Sequence, residues 1–312
     1  MRQLAALLIL MSVGATWAPT LFAQRAGKLP AAAAEKLNTA EDTLAVLAYA
    51  VVNDSTPENR FAACRSLITG LVRNLKTPNS FRYPFSRLKS VSIQYPADSS
   101  FRIFTWQLYV DENEYRYYGA IQMNSGELQL FPLIDRSHEM EGADLEQANL
   151  TPDRWYGAVY YNLRESRTAN GPVYLLFGFD GFKFFRKRKI IDVLRFQEGK
   201  PIFGAPVFAH PAVGRRPPYT KNRVVLEYSA DASVRCNYDE ALKMIVFDHL
   251  MEMASPYEKD PVRVPDGTYE AYEWKDRAWQ YIEQLPTEAL DAAPTPNPIL
   301  KDRPKDILGR QN

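Results

Sequence analysis

Sulfur and imidazole are scarce in this chain: 312 residues include two cysteines, Cys64 and Cys236, and three histidines, His138, His210 and His249. That is too thin a supply of ligands for a structural zinc site, so no metal and no cofactor is expected. Net charge is also nearly missing, with 38 basic residues against 37 acidic ones. A balanced chain offers no global attraction for nucleic acid or an anionic membrane, and neither is expected as a partner. There is no apolar run of about 20 residues, the length a membrane-spanning helix requires. Phosphate-cradling glycine loops, nucleophile elbows, zinc-protease helices and calcium loops are all missing.

What is present begins at the N-terminus. Arg2 is followed by a short apolar run, Leu4 to Val13, and then by a small-residue exit ending at Ala23. This is the layout of a secretory signal peptide over residues 1–23, with a buried N-terminal helix as the alternative. Cleavage after Ala23 is preferred to cleavage after Ala18, because Pro19 would follow directly. Arg2 is the only charged residue in the leader, so the formal charge falls from +1 to zero on its removal. The expectation is a soluble exported protein, periplasmic or extracellular, with no membrane span in the mature chain. In an oxidising compartment Cys64 and Cys236 either form one disulfide or persist as inert buried thiols. Cys64 falls on a helical stripe and Cys236 alternates with Val234 and Tyr238.

Residues 24–78 carry helical periodicity. Pro30 opens a first helix with Leu37, Ala40, Leu44, Leu47 and Val51 on one stripe; Thr56-Pro57 caps a second with Phe61, Cys64, Leu67/Ile68, Leu71 and Leu75. The short link at Asn53–Ser55 makes them an antiparallel hairpin, which needs something else to cover its stripe.

Over residues 79–285 the period changes to two. Strands are expected at 101–110, 115–123, 128–133, 155–165, 172–180, 188–196, 201–208, 223–229, 233–238, 243–250, 269–274 and 278–283. Turn chemistry separates them, as at Asp111–Glu114, Asn124-Ser125-Gly126, Asp180-Gly181, Glu198-Gly199-Lys200 and Asp266-Gly267. The fold class is therefore mainly β (α+β). A helical hairpin precedes a large antiparallel β meander, curled into a barrel, a sandwich or a propeller-like array. Val173–Phe179 and Met244–Leu250 are apolar on nearly both faces and should be covered on both sides. Residues 135–153 and 209–222 read as long polar loops, and 286–312, with five prolines, as a disordered tail.

Candidate polar sites are few. Asp248 sits between apolar neighbours and needs a partner, for which Arg235 of the adjoining strand is the candidate. His249 shares a strand face with Ile245, Phe247 and Met251 and reads as a hydrogen-bonded core residue; His138 and His210 read as solvated loop residues. Asp111, Glu112 and Glu114, like Asp231, Asp239 and Glu240, read as turn chemistry. The Arg186–Lys189 run reads as a solvated turn.

The segments SFRYPF (80–85), SFRIFTWQLY (100–109), YGAIQMN (118–124), WYGAVYYN (155–162), YLLFGFD (174–180), FGAPVF (203–208), LEYSADASVRCNYDE (226–240), MIVFDHL (244–250) and VPDGTYE (264–270) carry a resemblance. They resemble those of an uncharacterised family of exported proteins of Bacteroidetes-type Gram-negative bacteria. The resemblance spans about residues 55–283 and implies export from such a cell. It carries no activity, cofactor or catalytic residue.

Lacking a recognisable catalytic set, the sequence favours a non-enzymatic binding or envelope-associated protein, whose partner is a protein or an extracellular ligand. The competing expectation is a glycan-active hydrolase built from dispersed carboxylates about 5–10 Å apart. In a third reading the helical hairpin is a docking module beside a structural β domain.

Overall fold

The computed structural model describes residues 25–140, 143–255 and 259–286. The expected signal peptide, residues 1–23, and the expected tail beyond Pro286 lie outside the described residues.

Two long helices form where periodicity and proline punctuation place them: α1 (Ala31–Asn53) and α2 (Pro57–Leu75), with Pro57 in the first turn. Proline suits that turn because its missing N–H would have no helical acceptor there. Their buried stripes are Leu37, Leu44, Ala48 and Val51 on α1, and Ala63, Cys64, Leu67, Leu71 and Leu75 on α2. The helices approach closely at Gly70, where a Cβ would lie 2.9 Å from a Leu44 methyl. Glu41 is buried on the α1 stripe and fully engaged. It accepts the Arg87 N–H and the Tyr83 hydroxyl, each at 2.6 Å, and meets the Arg87 guanidinium at 3.1 Å. It therefore ties α1 to the chain that enters the first sheet.

Three sheets follow. The first is a four-stranded antiparallel meander of β1 (Ser92–Gln94), β2 (Phe101–Asp111), β3 (Glu114–Met123) and β4 (Leu130–Ile134). The second contains β5 (Val159–Thr168), β6 (Gly171–Asp180), β7 (Arg186–Gln197) and β8 (Lys200–Phe203), and later receives β11. The third is built from β9 (Phe208–His210), β10 (Tyr219–Lys221), β12 (Cys236–Asp239), β13 (Met244–Met253), β14 (Val262–Lys275) and β15 (Ala278–Ile282). β11 itself (Val224–Ser229) leaves the third sheet's run to pair with β7. The orders are β11-β7-β6-β5, with β8 on the far end of β7, and β10-β9-β15-β14-β13-β12. β15 and β9 run parallel, so the third sheet is mixed. The short α3 (Ala143–Gln147) lies between β4 and β5.

These sheets stack in layers. The helical hairpin covers Phe104, Trp106 and Leu108 of β2. From the opposite face of β2, Phe101 and Ile103 meet Tyr160, Tyr174, Leu176, Ile190 and Leu194 of the second sheet. The far face of that sheet presents Val173, Leu175, Phe177, Ile191 and Val193 to Phe208, Ile245, Phe247, Tyr272 and Trp279 of the third. β6 is thus buried on both faces because it belongs to the middle layer. Among the described residues no closed barrel forms. Of the expected alternatives, the stack is nearest a sandwich, extended by a third sheet and a helical lid.

Several expectations are corrected. β13 belongs to the outermost sheet. Ile245 and Phe247 are buried on one face, while on the other Asp248 is buried and Met244, Val246 and Leu250 are only partly so. Past the bulge Met251 and Met253 are about half exposed. Asp266-Gly267 is not a turn between strands. β14 runs through it as a bulge, with Gly267 at φ 89 and a register shift opposite Asp248 and Leu250. The expected 201–208 strand divides into β8 and β9 around Gly204, at φ 108. Residues 135–153 are not a free polar loop, since Met140, Leu145 and Leu150 are buried against the second sheet. Residues 209–222 contain the β9–β10 pairing, which places His210 opposite Tyr219. Arg186–Lys189 begins β7, and there Arg188 is buried and bound to Glu227 at 2.7 Å.

Candidate functional site

A cleft of about 430 Å³ opens between β11 and the inner face of the third sheet. Strand alternation decides what lines it. Cross-strand pairs share a face, and the pairs His210–Tyr219, Tyr281–Tyr272, Tyr272–Ile245 and Glu270–Phe247 all point to this one. The result is a continuous aromatic row interrupted by a single carboxylate.

His210 is the middle of that row. Its ring stacks on Tyr219 with centroids 4.5 Å apart and planes 9° from parallel, and on Tyr281 at 4.5 Å and 30°. Its Nε2 shares a hydrogen bond of 2.9 Å with the Tyr272 hydroxyl. Burial, with help from the nearby Lys221 and Arg216 charges, lowers its pKa to about 4. The imidazole is therefore neutral at pH 7 and serves as a stacked, hydrogen-bonded plate. Reading it as a solvated loop residue fails because three-residue strands are too short to show a period.

Of the three carboxylates that line the cleft, Asp248, Glu270 and the exposed Glu283, the first two are largely buried. Glu270 is 17% exposed and lies beside Phe247, Tyr272 and Tyr281. Burial raises its pKa, opposed by hydrogen bonding from Tyr281 and by the His249 and Lys221 charges. Asp248 is 8% exposed, and burial raises its pKa as well. Its Oδ2 accepts the Arg235 backbone N–H at 2.8 Å, while its own N–H donates to the Arg235 carbonyl at 3.2 Å. The expected partner is thus the right residue but the wrong group. The main chain of Arg235 holds Asp248 and its side chain is exposed, because a fixed N–H satisfies the carboxylate without ordering a long side chain.

His249 is corrected too. It occupies the bulge, 39% exposed, where the alternation that would turn it inward is broken. Its Nδ1 is 2.8 Å from Asp266 and its Nε2 3.8 Å from Glu270. Cys64 and Cys236 are free, buried thiols in separate clusters, one under the helices and one between the second and third sheets. Burial raises the pKa of both, that of Cys236 to about 12. Neither is a thiolate at neutral pH.

The remaining acids serve structure. Glu114 pairs with Arg116 at 2.8 Å and Glu240 with Arg164 at 2.7 Å. Asp239 accepts two turn N–H groups at 2.9 Å. His138 is 69% exposed beside Glu139. A second cleft, about 600 Å³ at β3 and β4, contains Asp135. That carboxylate is taken up by the Tyr117 and Ser137 N–H groups, both at 2.9 Å.

Sequence reasoning also missed two buried polar networks. Asp192 and Arg223, both fully buried, pair at 2.9 Å, with the Tyr160 hydroxyl on Asp192 at 3.1 Å. Asp180 accepts the Tyr117 and Tyr156 hydroxyls at 3.0 and 2.7 Å. Asp192 interrupts the apolar run of β7 and was the one legible signal. Among the described residues no group of three or more His, Cys, Asp or Glu is placed to hold a metal ion. No protein-family model, curated protein or solved structure matches the chain.

Proposed function

We propose that this is an exported binding protein of a Gram-negative envelope or its surroundings, and that the cleft between β11 and the third sheet receives its ligand. The observation that carries the reading is the aromatic row Tyr219–His210–Tyr281–Tyr272, buried on one side and opening on a cleft with Glu270 at its floor. Rings locked by stacking and by a hydrogen bond lose little entropy when they meet a ligand, which favours recognition. The leader-like residues 1–23 and the resemblance to exported proteins of Bacteroidetes-type bacteria support the cellular placement.

Turnover is not what this geometry favours. His210 has both ring faces covered and an imidazole too weakly basic to take a proton near pH 7. A glycan-active hydrolase is the second reading, favoured by one specific observation: Asp248 and Glu270 both line the cleft with raised carboxyl pKa values.

Incubating purified mature protein with glycan and peptide panels separates the two. Product formation abolished by Asp248→Asn or Glu270→Gln would replace binding with hydrolysis; saturable binding without product supports the proposal. Fractionation of a producing cell, with N-terminal sequencing, tests export. An intact leader in the cytoplasm would overturn that part.

A further inference from the structure

The cleft is mixed in charge, but its charges are not equally free. Arg216, Lys221 and Arg263 line it alongside Asp248, Glu270 and Glu283. Lys221 reaches out of the cleft to Glu146 at 2.8 Å. Arg216 lies over the outer Tyr219 ring at 4.0 Å. Arg263 is more than half exposed and leans towards Glu252 at 3.9 Å. The basic groups are thus drawn to the rim or away from it. Asp248 has its main-chain donor. Glu270 has neither a lysine nor an arginine within ion-pair distance; its nearest basic atom is His249 Nε2 at 3.8 Å. Glu283, just past the end of β15, is exposed and makes no ion pair among the described residues.

Around Glu270 stand aromatic faces. Phe247 is directly opposite on β13, and Tyr272 stacks on Phe247 with centroids 5.6 Å apart. Tyr281 completes the wall, 5.5 Å from Tyr272. A carboxylate beside aromatic rings suits a cation, because a ring face that a ligand reaches adds the negative end of an aromatic quadrupole to the acid's charge. The Tyr281 hydroxyl and His249 offset only part of the cost of burying this acid, and a bound cation would return more of it.

Resting on the reading of this cleft as a binding site, we infer that the group it recognises is an organic cation, an ammonium or guanidinium, seated on Glu270 within the Phe247–Tyr272–Tyr281 wall. A basic side chain of an extended peptide and a free polyamine both present this chemistry. A neutral sugar ring would find stacking there but would leave the carboxylate without a counter-charge.

The test uses the full mature chain, followed by NMR shift perturbation. Three probes are titrated: Nα-acetyl-lysine methylamide, spermidine, and the uncharged control Nα-acetyl-norleucine methylamide, with chitotriose as a glycan comparison. At least one cationic probe is expected to shift residues 245–250, 269–273 and 280–283, and the norleucine control is not. Glu270→Gln should weaken cation binding at least about tenfold, and Tyr281→Leu by about threefold to tenfold, the range of a partly desolvated cation–π contact. Affinity should rise with pH as the Glu270 carboxyl ionises. The groups facing it in that titration are His249 on β13, Tyr281 on β15, Glu283 just past it, and Lys221 on β10. Unchanged affinity in Glu270→Gln, equal binding of norleucine or chitotriose, or no shifts from either cation would each overturn the inference. Chitotriose binding at these residues would do so while leaving the binding site in place, whereas product formation from the trisaccharide would remove the binding reading itself. Preference for the lysine probe over spermidine identifies a peptide source, and the reverse a polyamine.

Discussion

At the scale of single residues, two buried guanidinium groups show different ways of holding a charge in the interior. Arg102 is fully buried without a carboxylate. Instead it donates to Gln122 Oε1 at 2.8 Å, the Tyr83 carbonyl at 2.5 Å, the Tyr95 hydroxyl at 2.9 Å and the Ser80 carbonyl at 3.1 Å, between rings that include Phe104 at 4.8 Å. Asp192–Arg223 is the opposite solution, a fully buried ion pair in which Arg223 Nε donates to Asp192 at 3.0 Å and Nη1 to the Leu145 carbonyl at 2.6 Å. Removing one member strands the other, so Asp192→Ala should cost about 3–5 kcal/mol. Replacing both by apolar residues, Asp192→Leu with Arg223→Met, should cost clearly less. Urea denaturation of the two variants checks this, and equal losses would deny that the pair acts as a unit. His210 gives a pH signature. Its folded pKa of about 4 lies below the unfolded value of about 6.5. Between these values the unfolded chain binds the extra proton, so this contribution is complete above pH 6.5 and is lost as pH falls towards 4. The linkage is worth about 3 kcal/mol as an order of magnitude. Thermal melts of wild type and His210→Gln should therefore differ more at pH 7 than at pH 4.5; a gap constant with pH would contradict the buried, neutral imidazole.

At the scale of elements, the joints are where backbone conformation matters most. Gly204, at φ 108, ends β8 where the chain bends towards the third sheet, and a Cβ there would lie 2.5 Å from the Ala148 carbonyl oxygen. Gly204→Ala meets both a strained backbone and a fixed main-chain atom. It should destabilise by about 1–3 kcal/mol from the backbone alone, with the clash adding to it. Gly199→Ala, at φ 76 with open space around it, is the control that carries only the backbone cost. Chemical denaturation of the pair separates the two contributions. These joints also mark where the sequence stops being legible. Pro30 and Pro57 announce α1 and α2, and the two-residue rhythm from Phe101 to Ile282 announces most strands, because period and punctuation are local. His210 and Tyr219 are invisible to such a rhythm, since β9 and β10 are only three residues each. The inward turn predicted for His249 fails at a bulge whose register depends on the partner strand. Asp248 was legible as an acid needing a partner; that the partner is a backbone N–H is information carried by no side chain.

At the scale of the whole molecule, the decisive relation is that each layer completes the one beneath it. β2 contributes Phe101 and Ile103 to one core and Phe104, Trp106 and Leu108 to another, all of them buried. Among the described residues the outer face of the first sheet is covered by the helical hairpin together with Phe85, Leu88 and Val91, so the hairpin is expected to be part of the β domain's core. Removing residues 25–78 would expose Phe104, Trp106 and Leu108 together with Phe85, Leu88 and Val91. It would also strip Glu41 from Tyr83 and Arg87. Fully burying one such side chain is worth about 1.5–3 kcal/mol, and this patch holds several, against a total stability of about 5–15 kcal/mol for a typical domain. A chain of residues 79–312 should accordingly bind a hydrophobic dye, elute as an aggregate in size exclusion, and lose near-ultraviolet circular dichroism from Trp106. The intact mature chain should unfold in one transition when followed by both Trp fluorescence and far-ultraviolet circular dichroism. A truncated chain that stays monomeric, with a cooperative melt of its own, would instead restore the hairpin as a separable docking module. It would also show that the first two sheets are stable as a two-layer sandwich without their helical cover.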